Sequence, residues 1–144
     1  MNCHRKLHRV CFNECDSTGC VSISNYFRWF ERVRFCIAED SGIMRVLGGA
    51  QDVIFPVTFS ECSYYKPITA DAFIQIKTTL SVDAAMRLTF RHTVTDAESD
   101  ERLAEGKTQI AIVSTQTGKV VKNVGSEFMD RYKQYIKTYE VIYP

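Results

Sequence analysis

The hydrophobic period of this chain changes once, and that change limits the architectures open to it. From Asn25 to Glu39 the apolar residues Tyr26, Phe30, Val33 and Ile37 recur at i, i+4, i+7 and i+11. Arg28, Arg32 and Glu39 fall on the opposite side, so the spacing predicts one amphipathic helix. Ser22 or Ser24 serves as its N-cap in this reading and Gly42 as its stop, with Gly48 and Gly49 continuing the loop. Beyond the glycines period two takes over. "VIFPVTFSECSYY" is aromatic and β-branched, and Ile74, Ile76, Thr78, Leu80 and Val82 alternate with Phe73, Gln75, Lys77, Thr79 and Ser81. Leu88, Phe90, His92 and Val94 alternate likewise, and "KTQIAIVST" adds one more strand.

A half-apolar sheet must cover its apolar face, and one long helix is at hand to do so. Pro67, "DAESDE" and "TQTGK" separate the strand runs with turn chemistry, and short connections favour antiparallel neighbours. Val10 to Phe12 reads as a short edge strand, and "SEFMDRYKQYIKTYEVIY" as a closing helix. At 144 residues the chain suits one core. The expectation is a single α+β domain over residues 1–144: a strand, a long helix, four meandering strands, and a C-terminal helix.

Composition excludes several classes of function. A formal net charge of +1 leaves no basic excess to neutralise a phosphate backbone, which argues against nucleic acid as a partner. No apolar run approaches the ~18 residues of a membrane span. "MNCHRKLHRV" is basic but lacks a following apolar segment with a cleavage site, so the cytoplasm is the expected location, with His4 and His8 part of a tail. Six cysteines show no C-x-x-C and no common zinc spacing, and are expected to be reduced, mostly buried thiols. No cofactor and no metal is called for.

The segment "FNECDSTGCVSISNYFRWFERVR" resembles the hotdog-fold acyl thioesterases of the 4-hydroxybenzoyl-CoA thioesterase-like group. That group also takes in the Tol-Pal-associated acyl-CoA thioesterases and the enediyne polyketide thioesterases. Its motif is an acid, a short turn ending in Gly, then a helix opening with Asn-Tyr and continuing Arg-Trp, here Asp16, Gly19, Asn25, Tyr26, Arg28 and Trp29. "ERVR", Glu31 to Arg34, extends the match, and "YYKPITADAFIQI" gives a second, more generic one. The resemblance covers about Leu7 to Val121. It implies an antiparallel sheet of about five strands wrapped around one helix, assembled as a homodimer or homotetramer. The implied activity is hydrolysis of acyl-CoA or acyl-carrier-protein thioesters, and the alternative is a non-catalytic acyl-thioester-binding or assembly module on the same fold.

The requirements of such a reaction follow from the thioester itself. Its oxygen becomes negative as water or a carboxylate adds, so a hydrolase needs an oxyanion site close to an attacking or water-activating group. A helix N-terminus supplies unpaired N–H donors and positive potential. The resemblance places the polarising amide seven residues beyond the acid, at Ile23, with Asp16 as general base or as nucleophile. Taken alone, "DSTG" reads more often as an Asx-turn or a capping acid. Gly19 permits close backbone approach or a positive φ. Where the Tol-Pal-associated group carries Tyr and His this chain has Phe12 and Ile23. The enediyne group replaces the acid with Asn and relies on a helix arginine matching Arg34, whose alternative is a surface pair with Glu31.

Other candidates are secondary. Glu14 is a second acid or a solvated edge residue, Glu61 a strand carboxylate, and His92 reads as a core histidine. Tyr26, Tyr64, Tyr65 and Lys66 would flank the acyl or pantetheine path. The family places basic residues before the fourth strand, where this chain has Ala84 and Met86. That leaves Arg87, Arg91 or Lys107 to meet coenzyme A phosphates.

Overall fold

The computed structural model describes residues 3–45, 52–137 and 141–143. Gly48 and Gly49 lie outside the described residues. In chain order the elements are β1 (His4–Arg9), α1 (Ile23–Ser41), β2 (Val53–Ile54), β3 (Val57–Tyr64), β4 (Phe73–Val82), β5 (Leu88–Asp96), β6 (Arg102–Ile110), β7 (Val113–Ser114), α2 (Gly125–Lys137) and β8 (Val141–Tyr143). The main sheet runs β3-β6-β5-β4-β1-β8, and β2 pairs with β7 beside it. Its first five strands are antiparallel, and β8 adds a short parallel strand outside β1.

Helix α1 packs against the apolar face of this sheet. Tyr26, Phe30, Val33 and Ile37 are buried as the period requires, joined by Trp29 and by the polar Asn25. Gly42 ends the helix in the left-handed region at φ 66°, which is why a residue without a Cβ follows Ser41. Halfway along, the Phe30 ring lies 4.2 Å from the His92 imidazole, nearly parallel to it. Gly106 stands opposite His92 in the β5–β6 register. A Cβ there would fall 2.4 Å from Phe30 Cε2, so the missing side chain is what lets the helix settle this close to the sheet.

Several expectations need correction. The first strand is His4–Arg9, with neighbours on both sides, while Val10 to Phe12 leads out of it into a 3₁₀ turn at Phe12–Glu14. His4 is buried and stacks on Tyr135, so the N-terminal histidines are core-facing parts of β1 and not tail. The last segment does not continue as helix: after Lys137 the described chain resumes as β8. The strands do not form a simple meander either, because β3 pairs with β6 and the 65–72 link carries the chain across to β4. Backbone carbonyls of that link hold the segments flanking the start of α1, with Val21 N–H donating to Ile68 O at 2.8 Å and Val10 N–H to Ala72 O at 2.9 Å. The six cysteines are free thiols, with Cys11 exposed and the other five half-buried instead of fully buried.

Candidate active site

Between Glu14 and Ser22 the chain doubles back on itself. Cys15 bridges Val21, Asp16 N–H donates to Cys20 O at 2.8 Å, and Ser22 N–H donates to Glu14 O at 3.0 Å. The turn at the tip closes with Gly19 N–H on Asp16 O, and Gly19 takes φ 83°, a conformation that favours glycine. This small ladder brings the residues before α1 alongside its first turn. Asp16 lies two rungs from the Glu14–Ser22 pair, roughly 7 Å along the ladder.

Asp16 is exposed, and its carboxylate is held by Thr18, whose hydroxyl and amide both donate to Oδ1, the amide at 2.8 Å. The Thr18 hydroxyl, then its amide, holds the Asp16 carboxyl below the usual carboxylate range, with a lesser contribution from the Cys20 amide. The Asx-turn and the reactive-acid readings are therefore compatible: the turn takes up Oδ1 and leaves Oδ2 as the oxygen open to water.

The start of α1 is unusual in how its cap is used. Ser22 is the N-cap residue in extended conformation, yet its side chain caps no amide. Its hydroxyl instead donates to Glu14 O at 3.2 Å and accepts from Asn25 Nδ2 at 2.9 Å. Asn25 Nδ2 also donates to Glu14 O at 2.7 Å. With the hydroxyl so engaged, the Ser24 amide, which an N-cap side chain could reach, joins that of Ile23 in having no intrahelical acceptor at the positive end of the helix. Ile23 is the first helical residue and its side chain is 64% exposed.

Glu14 anchors this arrangement and is no solvated edge residue. Its carboxylate accepts from Trp29 Nε1 at 2.6 Å, His8 Nε2 at 2.7 Å and Cys11 N–H at 2.9 Å. Burial would raise its pKa, but those three donors, the Cys11 amide foremost, outweigh it and bring the net shift down. An ionised Glu14 thus pins β1, the 3₁₀ turn and α1 together two residues before Asp16. The sequence carries a signal for this: Asn25 is a polar residue on the buried stripe of the helix, three residues after the N-cap serine.

The remaining candidates scatter. Tyr26 is buried and packs edge-on against Tyr64, and burial pushes its phenol up to about 12, so it is a wall and not an acid. Tyr65 is exposed, donates to Glu105 at 2.9 Å and carries the Arg102 guanidinium over its ring. Arg87 pairs with Asp83 at 2.9 Å in the β4–β5 hairpin, about 30 Å along β4 from the end where the Asp16 turn docks. Arg91 stands directly opposite Lys107, and Lys107 reaches toward Glu61 at 3.9 Å. By strand alternation this row lies on the sheet face away from α1. Arg34 sits eleven residues beyond Ile23, about 16 Å along the helix axis, so one chain does not bring its guanidinium to the Ile23 amide.

His92 is satisfied within the sheet. Its Nδ1 is 2.9 Å from Thr78 Oγ1 and its Nε2 3.3 Å from Thr108 Oγ1. Burial, helped by the Arg34 charge, pushes its pKa down to about 3, so it is neutral. No cluster of metal-ligating side chains occurs among the described residues, and no described helix is long and apolar enough to cross a membrane.

Comparison with known proteins bears on the family and the fold. Residues 10–129 match the family model of the thioesterase-like superfamily. A curated relative from Aquifex aeolicus (strain VF5), named "Putative esterase", is 31% identical over 117 residues, covering 78% of this chain and 85% of its own. A solved structure from Bartonella henselae, described as a probable thioesterase, is 25% identical, with a TM-score of 0.71 over 84% of this chain and 98% of its own. The DHNA-CoA thioesterase of Staphylococcus aureus shares the fold at 19% identity, with a TM-score of 0.80 over 98% of this chain and 99% of its own.

Proposed function

The chain belongs to the thioesterase-like superfamily with a hotdog fold, and we propose that it hydrolyses acyl thioesters in the turn between Asp16 and the start of α1. The observation that carries this reading is the diverted N-cap. An N-cap side chain normally takes the second or third helical amide, and here Glu14 O and Asn25 hold the Ser22 hydroxyl elsewhere, so the Ser24 amide stays available to an incoming oxygen beside that of Ile23. An ionised carboxylate stands in the same turn.

The thioester carbonyl accepts from the Ile23 and Ser24 amides. As Asp16 Oδ2 takes a proton from water, the hydroxide equivalent adds to the carbonyl carbon and its oxygen becomes the oxyanion that the helix end stabilises. The C–S bond then breaks, and the thiolate recovers the proton from Asp16. In the nucleophilic variant Oδ2 itself adds, the thiolate leaves, and water opens the resulting anhydride.

Acyl-CoA and acyl-carrier protein both remain suitable carriers. Arg87 is committed to Asp83, so cations for coenzyme A phosphates would come from Arg91 and Lys107 through a neighbouring subunit. The assembly is proposed to be a homodimer or homotetramer, because β3 is a sheet edge that exposes Val57, Phe59 and Tyr64. A strict monomer by light scattering would argue against it.

The test of the reaction is a free-thiol assay over a panel of acyl-CoAs and one acyl-carrier-protein substrate, with wild type and Asp16→Asn. Asn keeps the Thr18 bonds to Oδ1, so folding should be retained. Loss of kcat by at least ~10² with KM kept is expected if Oδ2 acts as base or nucleophile. A variant with near wild-type kcat would remove Asp16 from the mechanism.

A further inference from the structure

Along the solvent side of α1, Ser24, Arg28 and Arg32 follow one another at i, i+4 and i+8, so they form one stripe that starts at the helix entry. Arg28 lies about 7.5 Å and Arg32 about 13.5 Å along the helix axis from Ile23. Both arginines line a cleft of about 220 Å³ between α1 and the 3₁₀ turn, together with His8, Asn13, Glu14 and Trp29. Both are exposed, and neither has a hydrogen bond or ion pair with a described residue. Glu31, three residues past Arg28, lies on the other flank of the helix beside Phe55 and Phe90. Glu14 is the carboxylate of the cleft, and Trp29, His8 and the Cys11 amide already hold it. Two like charges at i, i+4 repel each other, and no described residue offsets them. The cleft is therefore built for an anion.

We propose that Arg28 and Arg32 bind the phosphate at the far end of the pantetheine arm of the substrate. That phosphate is common to coenzyme A and to acyl-carrier proteins, and it is distinct from the ribose phosphate that coenzyme A alone carries. From thioester sulfur to phosphorus the arm runs about thirteen bonds, roughly 15 Å when extended. With the carbonyl oxygen on the Ile23 and Ser24 amides, an arm laid along the stripe brings its phosphate to the two guanidinium groups. The planar fork of arginine suits phosphate oxygens, and two forks one turn apart straddle a single phosphate. This rests on the thioesterase reading for its substrate, and extends it from the reacting atoms to the carrier.

The experiment compares one acyl group, the best cleaved of the panel above, as its thioester with pantetheine, 4′-phosphopantetheine, coenzyme A and an acyl-carrier protein. Wild type should show kcat/KM at least ~10-fold higher for the 4′-phosphopantetheine ester than for the pantetheine ester, the gain lying in KM and shrinking as salt is raised. Arg28→Gln combined with Arg32→Gln should bring that ratio close to one with the circular dichroism unchanged, since both side chains are exposed. Arg28→Lys combined with Arg32→Lys keeps two point charges without the forks and should retain part of the ratio. Equal wild-type kcat/KM on the two esters, or a ratio that survives in the Gln pair, would overturn the assignment. Loss in the Gln pair on the coenzyme A ester, the carrier-protein ester or both would support it and name the carrier, and loss on neither would overturn it. If wild type cleaves none of the esters, the activity reading fails by itself, and thermal-shift titration with 4′-phosphopantetheine and with pantetheine then reads the cleft alone. A half-shift ~10-fold tighter for the phosphate-bearing compound, and lost in the Gln pair, would support the site, and its absence would overturn it.

Discussion

Acid should weaken this fold through His92, and the size of the effect follows from where that ring lies. His92 is 1% exposed, stacked 4.2 Å from Phe30 and bonded through both nitrogens to Thr78 and Thr108. The Arg34 cation on α1 faces it, and the folded-state pKa falls from 6.5 to about 3. A base whose pKa is depressed by folding binds its proton in the unfolded chain first. Its contribution is therefore fully present above pH 6.5 and lost as pH falls from 6.5 toward 3. Each unit in that window costs about 1.4 kcal/mol, so pH 4.5 should cost on the order of 2–3 kcal/mol. That is a large part of the ~5–15 kcal/mol by which a domain is stable. The assay is urea unfolding of wild type and His92→Gln at several pH values and one protein concentration. Gln keeps a donor and an acceptor for the two threonines but does not titrate. His4, whose pKa burial also lowers, is common to both proteins and drops out of the difference. His92→Gln should be the weaker protein at pH 7.5, and its deficit should shrink by roughly 2–3 kcal/mol on going to pH 4.5. Parallel pH dependences would refute the reasoning, because they would mean that His92 carries its proton inside the fold.

Gly106→Ala should destabilise by roughly 1–3 kcal/mol, since the new Cβ meets Phe30 at 2.4 Å and Phe30 is held against His92. Thermal unfolding reads the loss, and Phe30→Leu should cost less in the Gly106→Ala background than in wild type, the reverse of two independent sites. Asn25→Ala should free the Ser22 hydroxyl to cap the helix and occupy the Ser24 amide, one of the two that the reaction uses. kcat should fall while KM and the circular dichroism hold, and an unchanged kcat would exclude the diverted cap from the chemistry.

The helix is legible in the sequence because its stripe is strict: Tyr26, Phe30, Val33 and Ile37 are all buried, and Gly42 stops it in the left-handed region only glycine occupies cheaply. The β4 and β5 strands are legible for the same reason at period two. Period alone assigns each residue a face, and it carries no information about which strand lies beside which. That is why β3 reads as a strand but not as the partner of β6, and why β1 and its histidines pass for a tail although β4 and β8 enclose them. Asp16, Gly19 and Ile23 stand out as a linear motif, since a turn and a helix start are local events. Glu14 is misread from sequence because the three donors on its carboxylate come from His8, Cys11 and Trp29, and only the folded chain brings the first and last of these to one point. Arg34 likewise reads as a surface residue or a catalytic one. Tertiary packing alone decides that its Nε is buried without a hydrogen-bond partner, because burial depends on how closely helix and sheet approach, and Gly106 lets Phe30 settle against the sheet.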